Sequence, residues 1–129
     1  MPGPAPDHRR PVEKWAEVRS LRMRYLDWGG HGPPVLALHG LASSAHWYDI
    51  LAPELRGRFR IVAPDQRGHG RTTQAPDGYD GPSTAADAVG LLDALGLEQA
   101  VLFGHSWGGN VAVAAADHFP ERVLSLIHI

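Results

Sequence analysis

A serine in a glycine-rich turn constrains this chain more than any other feature. The apolar run Val101–Phe103 leads directly into Gly104–Gly109 (GHSWGG), and a stretch rich in small residues follows. The order strand, G-x-S-x-G, helix is typical of a sharp turn that raises a nucleophilic serine above a sheet, whereas the same residues in another context form an ordinary glycine-rich turn. Side chains at Gly104 and Gly108 would obstruct such a turn. We therefore expect Ser106 to be a nucleophile near a helix N-terminus, where N–H groups favour developing negative charge.

The composition is that of an ordinary globular protein and argues against several classes of function. The 129 residues are 43% hydrophobic and 20% charged, which suits one domain or part of one. A formal net charge of −2 gives no general electrostatic attraction to nucleic acid or to an anionic membrane. Cysteine is absent, so we expect no disulfides and no thiolate metal sites. The sequence has no apolar run of membrane-spanning length and no secretory signal pattern, so we expect a cytoplasmic protein.

Short apolar segments alternate with helical patterns along most of the chain. Residues 1–12 are predicted to form a flexible lead. Alternating apolar and charged residues predict an antiparallel pair of strands within Lys14–Trp28. Buried strands are predicted over Val35–Leu38 and Phe59–Ala63, and two further strands over Ala100–Phe103 and Val123–Ile127. Helices are predicted over about residues 45–55, from a cap at Ser83 or Thr84 to a stop at Gly96, and over Asn110–Phe119. This alternation implies right-handed βαβ units and a mostly parallel sheet.

Two further motifs accompany the serine turn. His39-Gly40 follows one buried strand, and Asp65–Gly70 (DQRGHG) follows the next. In this order, over about residues 14–127, the three motifs resemble the N-terminal half of an α/β-hydrolase with a serine nucleophile. The resemblance implies an incomplete α/β-hydrolase fold over residues 13–129, with a mostly parallel sheet and flanking helices, ending after the helix that follows the serine and the start of the next strand.

The resemblance also implies roles for individual residues. Ser106 would carry out esterase-like acyl transfer, and the backbone N–H groups of Leu41 and Trp107 would form the oxyanion hole. Structural roles in the two loops would fall to His39, Gly40, Asp65, Arg67, Gly68, His69 and Gly70. The expected partner is a small-molecule ester or amide, with no metal and no cofactor. Serine at position 106 argues against the dehalogenase and epoxide hydrolase branches, which use a carboxylate nucleophile.

Several histidines are alternative candidates for the general base. His39 and His69 lie in loops where we expect them to brace the backbone. The side chain of His105 is expected to face away from Ser106, because neighbouring strand positions alternate, and to have a packing or hydrogen-bonding role. The segment 46–48 (His-Trp-Tyr) could line a substrate pocket or form the first turn of a helix.

A complete catalytic triad is not expected in this chain. In the family the acid and the histidine follow the serine in chain order. The candidates after the serine are Asp117 and His118 on the helix leaving the turn, Glu121 in the turn below it, and His128 at the end of the next strand. None of them is expected to reach the serine. We therefore expect the acid and base to be missing and the chain alone to be inactive.

The last six residues, Leu124–Ile129, allow two interpretations. They match the translation of the transposon end used to prepare sequencing libraries, and Leu-Ser-Leu-Ile also suits the strand that the family places here. They are therefore either an artefactual tail after Val123 or natural sequence. Two functional alternatives stay open: a non-catalytic α/β-hydrolase-like ligand-binding protein, and a half-domain completed by a partner chain.

Overall fold

The chain forms one sheet flanked by helices, as seen in a computed structural model that describes residues 9–129. The strands are β1 (Val12–Val18), β2 (Leu21–Gly29), β3 (Pro34–Leu38), β4 (Arg60–Pro64), β5 (Ala100–Gly104) and β6 (Val123–His128). The helices are α1 (Leu51–Leu55), α2 (Gly81–Ala94) and α3 (Trp107–His118), with single 3-10 turns at Ala45–Tyr48 and Pro120–Arg122. Of the predicted N-terminal lead, residues 1–8 lie outside the described residues.

The six strands are ordered β1-β2-β4-β3-β5-β6. β1 pairs with β2, and β2 with β4, in antiparallel fashion, whereas β4, β3, β5 and β6 run parallel to one another. The parallel part requires a crossover after each strand, which the helices supply. The predicted α/β class and mostly parallel sheet are confirmed. The carboxyl ends of β3, β4 and β5, where the three sequence motifs begin, therefore meet at one edge of the sheet.

Apolar side chains cover both faces of the sheet. On one face α2 and α3 pack against β3 and β5, where Leu38, Leu91 and Ala112 are completely buried. The other face packs against the 3-10 turn and α1 through Trp28, Tyr48 and other apolar side chains. The buried alanines of α3 let this helix lie close to the sheet. It begins immediately after Ser106 and so carries the serine turn on a rigid support.

The helix predicted over residues 45–55 is interrupted. It consists of the 3-10 turn Ala45–Tyr48 and the short helix α1, separated at Asp49-Ile50. Pro53 accounts for the break, because in a continuous α-helix its ring would clash with the carbonyl of residue 49. Ser44 caps the first piece by accepting the N–H of His46.

The starts of the two long helices also differ from the prediction. α2 begins at Gly81, and its cap is Asp80, whose carboxylate accepts the Ser83 N–H at 2.9 Å. The prediction of a cap at Ser83 or Thr84 was wrong because Asp80 is an equally good cap and proline is tolerated in a first helical turn. α3 begins at Trp107 rather than Asn110, because only two residues, His105 and Ser106, separate the end of β5 from the helix.

Candidate active site

Ser106 stands at the junction of β5 and α3 and is exposed. Its backbone lies at φ 55° and ψ −120°, a region that residues with a Cβ rarely adopt and that costs about 1–3 kcal/mol. The Ser106 N–H donates to the carbonyl of Ile129 at 2.6 Å, and the Ile129 N–H donates to the carbonyl of Gly104 at 2.9 Å. The residue that follows β6 therefore holds the strained turn and helps to keep the serine presented to solvent.

Close backbone packing explains two glycines of the turn. A Cβ added to Gly104 would overlap the backbone at the start of α3, and one added to Gly108 would overlap the carbonyl oxygens of Leu38 and His39 at the end of β3. Both obstructions are backbone atoms, which cannot move aside as the end of a flexible side chain can. Glycine at these positions lets β3, β5 and α3 approach closely around Ser106.

The loop after β3 lies against the serine. A Cβ added to Gly40 would come within 3.4 Å of the Ser106 Cβ. Among residues 9–129, neither the Leu41 N–H nor the Trp107 N–H donates a hydrogen bond. The Trp107 amide has no partner inside its helix because it is the first helical residue. Neither amide, of the residues that follow Gly40 and Ser106, therefore has an acceptor among these residues.

His39 ties the loop after β3 to the loop after β4. Its Nδ1 lies 2.7 Å from the Gly40 carbonyl, while its Nε2 accepts the N–H of Gln66 at 3.0 Å. The Gln66 side-chain amide donates in turn to the His39 carbonyl at 2.8 Å. Because Nε2 accepts an amide proton, the imidazole is neutral and donates from Nδ1. His39 is fully buried, and burial lowers its pKa to about 4. These contacts describe a structural side chain rather than a general base.

The low pKa of His39 predicts a loss of stability in mild acid. Above pH 6.5 the side chain is neutral in both states; as the pH falls from 6.5 towards 4, the unfolded chain binds a proton that the folded chain does not. We expect this histidine to lower the free energy of unfolding by up to about 3 kcal/mol across that window. Urea denaturation at several pH values checks this. Between pH 6.5 and pH 4, His39→Asn should lose less free energy of unfolding than the parent. Equal losses in the two proteins would contradict a lowered pKa for His39.

Asp65 organises the loop after β4 from a fully buried position. Its carboxylate accepts from Arg24 Nε at 2.7 Å and pairs with Arg24 Nη2 at 2.7 Å. It also accepts the backbone N–H groups of Ala45 and Arg71, each at 2.8 Å. One carboxylate thus connects β2, the 3-10 turn and its own loop, and both of its oxygens accept hydrogen bonds.

The rest of the DQRGHG loop is held by charge and by tight backbone turns. Arg67 forms a bidentate pair with Asp87 of α2, with Nε and Nη2 at 2.8 and 3.0 Å from the carboxylate oxygens. Gly68 and Gly70 have positive φ values of 75° and 53°. A Cβ at Gly70 would overlap the Asp65 carboxylate. His69 is buried in the same loop.

His105 packs under the loop that follows β3. Its ring stacks on Trp47 with centroids 4.0 Å apart and planes 17° apart, and its buried Nδ1 has no hydrogen-bond partner within the described part of the chain. Trp47 is 42% exposed, whereas Tyr48 is buried and donates its hydroxyl to the Leu38 carbonyl at 2.7 Å. The segment 46–48 is therefore a 3-10 turn that places one half-exposed aromatic ring beside the turn containing Ser106.

The candidate acids and bases after the serine, Asp117, His118, Glu121 and His128, are all exposed. Asp117 and His118 are exposed at the end of α3 and lie 3.9 Å from each other. His128 packs against Gly109, where a Cβ would overlap the imidazole. No hydrogen bond between the Ser106 hydroxyl and another group occurs within residues 9–129.

Two site residues have weak signals in the sequence. Ala42 adopts a positive φ of 61°, and its N–H donates to His69 Nε2 at 3.0 Å. Alanine gives no hint of a left-handed conformation. Gly109 is the second glycine of a pair, and only its contact with His128, which is distant in sequence, shows why it lacks a side chain.

The family follows from the fold, the site and a sequence profile. The profile described as alpha/beta hydrolase fold matches residues 33–129. The chain belongs to the α/β-hydrolase fold family.

Three similar proteins illustrate the range of this family. The chain is 40% identical over 128 residues to 2-hydroxymuconate semialdehyde hydrolase of Pseudomonas sp., covering 95% of this chain and 44% of that protein. It is 39% identical over 99 residues to a bifunctional esterase/perhydrolase of Acinetobacter calcoaceticus, covering 75% of this chain and 36% of that protein. The crystal structure of epoxide hydrolase A from Mycobacterium thermoresistibile superposes with a TM-score of 0.85 at 34% identity. The match covers 92% of this chain and 38% of that structure's chain.

The chain spans between 36% and 44% of the length of the first curated relatives that it matches. None of the helices within residues 9–129 is long and apolar enough to cross a membrane.

Proposed function

We propose that this chain belongs to a serine hydrolase that cleaves a carboxylic ester, or a related acyl bond of a small molecule, through an acyl-enzyme at Ser106. The observation that carries the proposal is the exposed Ser106 with φ 55°, placed between β5 and α3 and next to the Gly40 loop. The named relatives, which include a semialdehyde hydrolase and an esterase/perhydrolase, support hydrolytic chemistry.

The proposed reaction uses two backbone amides as well as the hydroxyl. Ser106 Oγ attacks the carbonyl carbon and gives its proton to a base, while the carbonyl oxygen becomes an oxyanion. That oxyanion accepts hydrogen bonds from the N–H groups of Leu41 and Trp107, each contributing about 3 kcal/mol in typical systems. As the intermediate collapses, the base returns the proton to the leaving oxygen and the alcohol departs. Water, deprotonated by the same base, then cleaves the acyl–serine bond and restores the serine hydroxyl.

Serine at position 106 separates this proposal from epoxide opening. Epoxide hydrolases resemble the chain in sequence and in fold. That branch attacks with a carboxylate, whereas Ser106 supplies a hydroxyl, which needs a base to become a strong nucleophile. We assign no residue of this chain as that base, and we expect the chain alone to be inactive towards esters when no base is added.

Phosphonylation by a fluorophosphonate probe, with and without added imidazole, tests the proposal on the chain itself. Attack by Ser106 Oγ on phosphorus expels fluoride and uses the same oxyanion site, and imidazole supplies the base. We expect slow labelling that rises with imidazole concentration and disappears in Ser106→Ala. The matched control Ser125→Ala, an exposed serine of β6, should label like the parent.

The outcomes separate the alternatives. Imidazole-dependent labelling that survives Ser106→Ala would refute Ser106 as the nucleophile. A folded parent that resists labelling at every imidazole concentration, yet binds small molecules reversibly, would favour a non-catalytic binding protein. A second chain that restores labelling without imidazole would identify a complementing partner that carries the base.

A further inference from the structure

The imidazole of His69 joins the loop after β4 to the loop after β3. Its Nε2 accepts the N–H of Ala42 at 3.0 Å, and its Nδ1 lies 2.9 Å from the carbonyl of Arg67. A backbone N–H can only donate and a carbonyl can only accept, so Nε2 is unprotonated and Nδ1 carries the proton. The residue is 9% exposed. These contacts define a neutral ring in the Nδ1–H tautomer.

The amide that His69 holds adjoins a candidate oxyanion donor. The Ala42 N–H belongs to the peptide unit directly after Leu41. The unit directly before Leu41 is held through the Gly40 carbonyl, which accepts from His39 Nδ1 at 2.7 Å. All peptide bonds of the described chain are trans, so the Leu41 N–H points opposite to the Gly40 carbonyl. Holding both units prevents their concerted rotation about Leu41 and fixes the direction of its N–H.

The Ala42 conformation makes this restraint necessary. A φ of 61° is disfavoured for a residue with a Cβ, so the loop would relax if its hydrogen bonds were removed. The Ala42 N–H has His69 Nε2 as its acceptor. Loss of that acceptor would leave the amide free to turn.

The same ring also contacts the residue of the second candidate donor. The His69 ring stacks on the Trp107 ring, with centroids 5.3 Å apart and planes 25° apart. Its centroid is 4.9 Å from that of His39. His69 therefore lies against the loop that carries one candidate donor and the side chain of the residue that carries the other.

We propose that His69 is a positioning residue of the oxyanion hole: by accepting the Ala42 N–H, it fixes the Leu41 N–H in the direction that an acceptor oxygen requires. This inference rests on the proposed function, which gives the Leu41 N–H an oxyanion to bind. His69 does not touch the reacting atoms and transfers no proton.

Nuclear magnetic resonance on the full chain tests the hold on the loop without any reaction. We expect imidazole nitrogen shifts of the Nδ1–H tautomer for His69, and slow hydrogen exchange of the Ala42 amide. In His69→Phe, which keeps a stacking ring but no acceptor, exchange of Ala42 should become fast. In His69→Gln, whose amide oxygen can accept, slow exchange should return. The Nε2–H tautomer, or unchanged exchange in His69→Phe, would overturn the proposal.

The rate of phosphonylation in imidazole tests the link to the oxyanion hole. His69→Phe should lower the maximal labelling rate by about tenfold or more, with little change in the probe concentration that gives half the rate, because an oxyanion donor acts in the transition state. His69→Gln should recover most of the rate. An unchanged rate in His69→Phe, or folded Phe and Gln variants with equal losses, would overturn the proposal. A parent that is not labelled would refute the proposed function, and the resonance measurement would still decide whether His69 holds the loop.

Discussion

Gly108→Ala is expected to destabilise the chain by about 3 kcal/mol or more. The new methyl group would overlap the Leu38 carbonyl oxygen and lie 2.6 Å from that of His39. Relief requires α3 to move away from β3, which would open the packing around Ser106. Equilibrium urea denaturation of the parent and the variant measures the change in the free energy of unfolding.

Gly57→Ala is the matched control for this substitution. Gly57 has no atom within 4 Å of an added Cβ, and its φ is outside the positive range that disfavours side chains. We expect the free energy of unfolding to change by less than about 0.5 kcal/mol, as for other surface substitutions. If Gly108→Ala were as stable as Gly57→Ala, α3 would not lie as close to β3 as the structure shows.

Asp65→Ala is expected to have the second large effect, a loss of about 3–5 kcal/mol. The substitution removes the carboxylate that pairs with the buried guanidinium of Arg24 and accepts the N–H groups of Ala45 and Arg71. The buried Arg24 guanidinium, the buried Ala45 N–H and the part-buried Arg71 N–H would all lose their acceptor. Glu13 lies 3.9 Å from the same guanidinium and can replace only part of the interaction.

Asp49→Ala provides the comparison for Asp65. The Asp49 carboxylate is about half exposed and contacts His46 at 2.9 Å. We expect its removal to change stability by less than about 1 kcal/mol, the usual value for exposed pairs. Thermal or urea unfolding of both variants tests the contrast. Similar small losses in the two would mean that Asp65 does not connect β2 to its loop.

The sequence alone was sufficient to predict the fold class and the succession of strands and helices along the chain. Apolar runs of four or five residues, each ending in a motif with glycine, predict parallel strands whose ends meet at one edge. The structure places His39, Asp65 and Ser106 at that edge, directly after β3 and β4 and just beyond β5. Local pattern sufficed here because burial on both faces leaves a distinct apolar signature.

The helix boundaries were harder to predict because several residues compete for the same role. Asp80, Ser83 and Thr84 are all good caps, and only the fold selects Asp80. The break at Asp49-Ile50 depends on Pro53, because its ring would clash with the carbonyl four residues earlier in a continuous helix.

Contacts between distant segments explain what the sequence did not indicate about the site. The left-handed Ala42 depends on His69, 27 residues away, and the small size of Gly109 depends on His128. Neither partner can be identified from neighbouring residues. The prediction that Ser106 is a nucleophile, by contrast, comes from local sequence and still awaits its test.

Peptide mass spectrometry of the fluorophosphonate-treated chain tests the central claim most directly. The protein would be labelled in imidazole, digested and searched for the mass of the phosphonyl group on every serine. We expect one modified peptide with the adduct on Ser106, because that hydroxyl alone is proposed to lie beside the amides of Leu41 and Trp107. An adduct on Ser44 or Ser125 with Ser106 unmodified would contradict it.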